Sequence, residues 1–238
     1  MYKLIKHNIT EEYFDNPVAG APAVKLKSIY DNTSDYQFFH PLPDPVINED
    51  TLTFTMDART ALTKYGLGMI NFAVASFANL DSLKEIETRL YKSGAEIGDF
   101  LVPYYGMTAG ASVGKLLGDL ARIGTECVYA VKNGESLDAV DLRWEAIIED
   151  ISAYLNRLNP TYWPTVLIKD QFTNLCKFWK NNFIARFEKN TADNVISLDN
   201  IFRIAVTGVP DHVKAGYSSI ADTISRGIIA QFARLFVK

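Results

Sequence analysis

Cysteine and histidine are scarce in this sequence, with two Cys and three His among 238 residues. Cys127 and Cys176 belong to no CxxC pair and lie near no His at ligand spacing, so neither a zinc motif nor a disulfide framework is indicated. Both are expected to be reduced core residues, because a free thiol packs as a small hydrophobe. His7, His40 and His212 are far apart, and neither HExxH nor ExxH occurs, which removes the usual helical metal sites. No cofactor is expected, no catalytic residue is nominated, and the chain is read as a non-enzyme.

A basic excess is missing as well. With 24 Lys and Arg against 28 Asp and Glu, the formal net charge is −4, and nucleic acid is not an expected partner. Long apolar runs are absent too. The most apolar stretch, Tyr65 to Ala78, goes 14 residues without a charge, short of the roughly 20 that a membrane-spanning helix needs. It is read as a central helix buried all round. The start, Met1 to His7, has no apolar core of a secretory signal, so the expected location is the inside of a cell, in the cytoplasm. On that reading the sequons at Asn8 and Asn32 have no consequence. Acidic neighbours such as Glu149 and Asp150 read as solvated helix faces.

What is present divides the chain in two. Residues 1–56 hold five of the nine prolines together with Asn and Asp, a composition that breaks helices and favours extended or turn backbone. This N-terminal arm is expected to be extended and irregular with some β character, since Ala23 to Tyr30 alternates partly like a strand. Its aromatic residues Tyr13, Phe14, Tyr30, Tyr36, Phe38 and Phe39 form a candidate interface, because so many rings on such a segment call for a docking surface.

Residues 57–238 are expected to form one all-α bundle of about six to seven helices. The first is predicted from Asp57, as N-cap, to about Asn79. A short helix follows from Asp81 or Ser82, and another opens at Ser93 with Glu96 as a capping box, the pair ending at Pro103. The next runs from Thr108 to a left-handed cap at Gly134. Ser136 opens another, which Asn159-Pro160 breaks, and Pro164 sits in the first turn of its successor. After the polar stretch Asn190 to Asn194 come a shorter segment around Ile201 to Val206 and a last helix from Pro210.

Within the Thr108 helix, Gly106, Gly110, Gly114 and Gly118 recur every four residues and leave a strip without side chains. Each helical Gly costs about 1 kcal/mol relative to Ala, so something should offset it. Close packing of another helix or the arm is the expected cause, and a ligand groove is the alternative. Gly110 to Leu116 is not a phosphate loop, because three residues rather than four separate its glycines and Leu stands where Ser or Thr must bind magnesium.

Four blocks, RLYKSGAEIGDFLVPYYG (Arg89–Gly106), Trp144, NPTYW (Asn159–Trp163) and RGIIAQF (Arg226–Phe232), resemble an all-helical family of uncharacterised proteins from firmicute bacteria and large DNA viruses of eukaryotes. The resemblance covers roughly residues 57–232 and implies the fold, with no established activity. It also implies a cluster of three histidines on three helices, in patterns like LWxxHVxWTR, LLxDHI and MLxxHL. Aligned through the shared blocks, those positions are Tyr65, Leu120 and Leu175 here, the family's Trp-Thr-Arg falls on Gly68, Met69 and Ile70, and an Asn falls on Ile147. The implied polar cluster is therefore expected to be replaced by apolar packing.

The expectation is a structural or interaction protein, a minor capsid or other virion component, whose arm contacts neighbouring protein subunits, either virion proteins or copies of itself. The alternative is an intracellular small-molecule or cofactor-binding bundle with Tyr65, Arg122 or Glu126 as polar contacts near the glycine strip. The first requires an arm that buries its rings on another chain, the second a roomy cavity with convergent polar groups.

Overall fold

The first helix begins where a side chain first satisfies its free amides. Asn48 accepts from the Thr51 amide at 2.9 Å while the Thr51 hydroxyl accepts from the Asn48 amide, a reciprocal cap. The computed structural model describes residues 48–208 and 218–236, and α1 runs Glu49–Phe77. Helix therefore starts eight residues before the expected Asp57, because the Asn48 and Thr51 pair supplies a cap that Asp57 does not. Residues 49–56, read as arm, are the first two turns of α1. The six aromatic residues proposed as an interface and all three histidines lie outside the described residues.

The two short helices expected after Asp81 are one, α2, Leu83–Tyr105. Ser93 caps nothing: its hydroxyl donates to the Leu90 carbonyl within the helix, at 2.5 Å. Pro103 lies inside the last turn instead of ending the helix, and the chain turns at Gly106, whose φ of 82° suits a residue without Cβ. Helix α3, Met107–Asn133, then ends at Gly134 in the left-handed conformation, as its Asn-Gly pair predicts. Helix α4, Asp138–Leu158, follows, with the Ser136 hydroxyl accepting from the Asp138 amide. Pro164 immediately precedes α5, Thr165–Phe187.

Asn190, read as the start of a polar connection, caps α6, Thr191–Phe202, by accepting from the Asp193 amide. The chain continues into a single π-helical turn, Arg203–Thr207. The last helix, α7, is Ile220–Gln231, capped by Ser219; it does not extend back to Pro210, since Ser218 and Ser219 are not helical. A 3-10 turn, Ala233–Leu235, follows, and Asn48 donates to the Phe236 carbonyl, which ties the two ends of the described chain together.

Seven α-helices and no strand occur among the described residues. Helix α3 is central, packed against α1, α2, α4 and α5, and α1 also meets α2, α7 and the π turn. The core is rich in large rings and branched aliphatics, with Trp163, Trp179, Phe72, Phe172 and Phe183 at 1 % exposure or less. One face of α1 departs from the expectation of all-round burial: Leu67, Asn71 and Val74 are exposed. A run without charges is thus buried on one side and exposed on the other, because no other described element covers that side.

Candidate functional site

Tyr65 on α1, Leu120 on α3 and Leu175 on α5 occupy the centre of the bundle, at 1, 0 and 0 % exposure. The Tyr65 hydroxyl donates to the Leu117 carbonyl of α3 at 2.7 Å, and its ring lies 5.6 Å from that of Trp179 on α5. Leu117 and Trp179 each stand one helical turn from Leu120 and Leu175, so the three helices meet around these residues. Met69 is fully buried there, and a Cβ on Gly68 would meet the Leu90 side chain at 3.2 Å. The aligned positions carry two leucines and a tyrosine whose only polar atom is paired with backbone.

Buried groups near this centre are held in their neutral forms. Burial pushes the Tyr65 phenol well above its usual range, and the neighbouring Cys176 adds to that. Burial also raises the Cys176 thiol strongly, and lifts Cys127 to about 12. Burial thus disfavours the thiolate, the reactive species, at both positions. Lys180 and Asp141, which flank the pair, bind each other through both carboxylate oxygens at 2.8 Å. The indole N–H groups of Trp144 and Trp179 are buried without a hydrogen-bond partner among the described residues.

The contacts proposed for a ligand pocket do not come together. Tyr65 is committed to the Leu117 carbonyl, whereas Arg122 and Glu126 are on the surface, bound to Asp119 and Arg143 respectively. An apolar cleft lined by α1, α6 and the π turn, with Leu62, Leu67, Leu198 and Phe202 among its walls, offers about 10 Å³. That is room for a water at most.

The glycine strip is a helix crossing. A Cβ on Gly110 would stand 2.7 Å from the Gly98 carbonyl oxygen, one on Gly98 would stand 2.9 Å from the Gly114 Cα, and one on Gly114 would stand 3.1 Å from the Ala95 Cα. Gly94 would in turn meet the Gly118 amide at 3.1 Å. Two strips therefore interlock, Gly94 and Gly98 on α2 with Gly110 and Gly114 on α3. The α2 half was legible as a second pair four residues apart. Gly106 belongs to the turn instead, and a Cβ there would meet nothing within 4 Å.

Missed from sequence is where the resembling blocks go: three of the four close on one another. Trp163 donates its indole N–H to the Thr223 carbonyl at 2.9 Å, and a Cβ on Gly227 would lie 2.8 Å from the indole Cδ1, so only glycine fits beneath the ring. Asn159, 1 % exposed, donates to the Gly227 carbonyl at 2.9 Å and to the Tyr105 hydroxyl at 3.3 Å, and accepts from the Tyr162 amide. Tyr105 donates to Gln231 at 2.6 Å and its ring packs 5.5 Å from Trp163 and 5.3 Å from Phe232. This clamp fastens the end of α2, the turn before α5 and helix α7. Its polar atoms satisfy one another, the arrangement of a structural joint.

No protein-family model, curated protein or solved structure matches the chain. Among the described residues no group of three His, Cys, Asp or Glu side chains could hold a metal ion, and no helix is long and apolar enough to cross a membrane.

Proposed function

We propose that this chain is a non-enzymatic structural protein of a larger assembly, a minor capsid or other virion component in the line of its resemblance, whose N-terminal residues contact neighbouring subunits. The observation that carries the reading is the centre of the bundle: the positions where the resemblance implies a polar cluster hold Tyr65, Leu120 and Leu175, all closed from solvent. A buried imidazole needs a partner, whereas Leu fills space, so such a centre serves packing rather than chemistry. Further support comes from the buried thiols, whose burial holds them neutral. The aromatic load of the first 39 residues supplies rings for a neighbour to cover.

The test compares the full chain with one beginning at Asn48, so that the cap of α1 stays intact. Size-exclusion chromatography with light scattering should find association beyond that of the shorter chain, or capture of assembly partners, in the full chain, with the shorter one folded. Identical behaviour of two folded proteins would remove the assembly role from the N-terminal residues.

A further inference from the structure

Helix α1 carries an exposed face whose central part, Met56 to Leu67, is complementary to itself. Met56, Thr60, Thr63, Leu67 and Val74 follow at steps of four, three, four and seven residues, the spacing of a coiled-coil seam. Met56, Leu67 and Val74 are 58, 38 and 37 % exposed, and Leu52 extends the stripe by one turn at 55 %. From Leu52 to Val74 it is about 33 Å long. The two threonines are apolar in effect: Thr60 donates its hydroxyl to the Met56 carbonyl and Thr63 to the Arg59 carbonyl, each at 2.8 Å, which leaves their methyl groups to cover the surface. No charged residue interrupts the seam. On one side it runs into the apolar wall made by Leu198, Phe202 and Val206.

The order of residues selects the occupant. If a second α1 lies antiparallel on the first, with the two-fold axis between Ala61 and Leu62, Thr60 falls opposite Thr63 of the second copy and Met56 opposite its Leu67. Antiparallel pairing also brings the flanking residues that follow Met56 and Thr63 against each other. Here those residues are Asp57 and Lys64, opposite in sign, both exposed and neither in an ion pair with any described residue. Parallel pairing in register would instead turn Lys64 toward Arg59 of the second copy, a like-charge pair, and leave Asp57 opposite Leu52.

We infer that α1 is a homodimerisation helix, pairing antiparallel with α1 of a second copy through Met56, Thr60, Thr63 and Leu67, with Asp57 and Lys64 bonded across the two-fold axis. This contact is separate from the one proposed for the N-terminal residues and stands or falls without it. An isologous interface of this kind is the commonest route to a closed dimer.

The experiment is sedimentation equilibrium of the full chain over a wide concentration range, with circular dichroism to verify that each variant is folded. The wild-type chain should show a monomer–dimer equilibrium, and Leu67→Asp, which sets two carboxylates into the seam, should raise the dimer Kd by at least about tenfold. Asp57→Lys and Lys64→Asp should each weaken the dimer by about three- to tenfold, since each introduces two like-charge contacts, and the double variant should return to near the wild-type value. Mixing Thr60→Cys with Thr63→Cys chains should give a crossed disulfide in preference to either self-linked species, because position 60 faces position 63 in the antiparallel register and the buried Cys127 and Cys176 do not compete.

A chain that is monomeric throughout, because another protein or nothing covers α1, overturns the inference. So does a dimer that Leu67→Asp leaves intact. If that surviving dimer is lost when the residues before Asn48 are removed, the N-terminal reading stands and the α1 contact is refuted.

Discussion

The crossing of α2 over α3 and the clamp around Trp163 both press backbone against a neighbour, and both depend on glycine, yet they are built on opposite terms. At the crossing, two helices approach because Gly94, Gly98, Gly110 and Gly114 present nothing to keep them apart. At the clamp, Gly227 is the floor beneath one of the largest side chains in the chain, and hydrogen bonds from Trp163 and Asn159 fix the distance. The crossing is held by dispersion between closely fitted surfaces, which tolerates no added atom. The clamp is held by burial of rings and by paired polar atoms, which tolerates no removed one. Predictions for the two sites therefore run in opposite directions of side-chain size.

Removal should be most costly at the clamp. Trp163→Ala deletes a fully buried indole and frees the Thr223 carbonyl, and is expected to lower unfolding free energy by about 3–5 kcal/mol in chemical denaturation. Addition should be the damaging change at the crossing. Gly98→Ala drives a methyl into the backbone of α3 and is expected to cost about 1–3 kcal/mol, although alanine is the better helix former. If Gly98→Ala were neutral, the two helices would be free to separate and the contrast would collapse.

Only the clamp contains an ionisable group, which separates the sites by pH. Burial raises the Tyr105 phenol above its usual value, and the Asn159 amide opposes that in smaller measure. A raised pKa means that the fold retains a proton the unfolded chain gives up, so the contribution is complete below the unfolded tyrosine value of about 10 and is lost as pH rises through the folded value. Stability measured from pH 8 upward should thus fall less steeply in Tyr105→Phe than in the parent chain. A Gly98→Ala chain should keep the parent's slope at lower overall stability. Equal slopes in parent and Tyr105→Phe would show that the phenol titrates freely and is not held by the clamp.

How much of this was open to reading from sequence differs between the sites for a physical reason. Gly110 and Gly114 announce themselves by a period of four on one helix, a local signal that survives without knowledge of the partner. The clamp is made of residues more than 50 positions apart, and nothing in the NPTYW turn says that Asn159 will reach Gly227. The helix count was legible because capping and periodicity are local, while several boundaries were not. Asn48 replaced Asp57 as first cap through a pairing with Thr51, Ser93 was absorbed when α2 continued across it, and Ser219 rather than Pro210 opens α7. At the bundle centre lie Tyr65, Leu120 and Leu175, and nothing in the sequence says that the phenol is answered by the Leu117 carbonyl.

The smallest expected effect is also the sharpest, because it lies within the glycine strip itself. Gly118 shares the period of Gly110 and Gly114, but the nearest atom to a Cβ at Gly118 would be the Arg122 guanidinium nitrogen, at 4.0 Å and at the end of a flexible side chain. Position 118 takes part in the crossing only by offering its amide to the face of Gly94, a contact that a methyl pointing elsewhere leaves unchanged. Gly118→Ala should therefore raise stability by up to about 1 kcal/mol, the helix-propensity gain with no clash to offset it. Gly114→Ala, one turn earlier, should lower stability, since its methyl meets the Ala95 backbone at 3.1 Å. The pair, measured by urea denaturation side by side, divides the strip into glycines required by a neighbouring helix and one that is not; two changes of the same sign would mean that the period of four, and not the α2 contact, governs the whole strip.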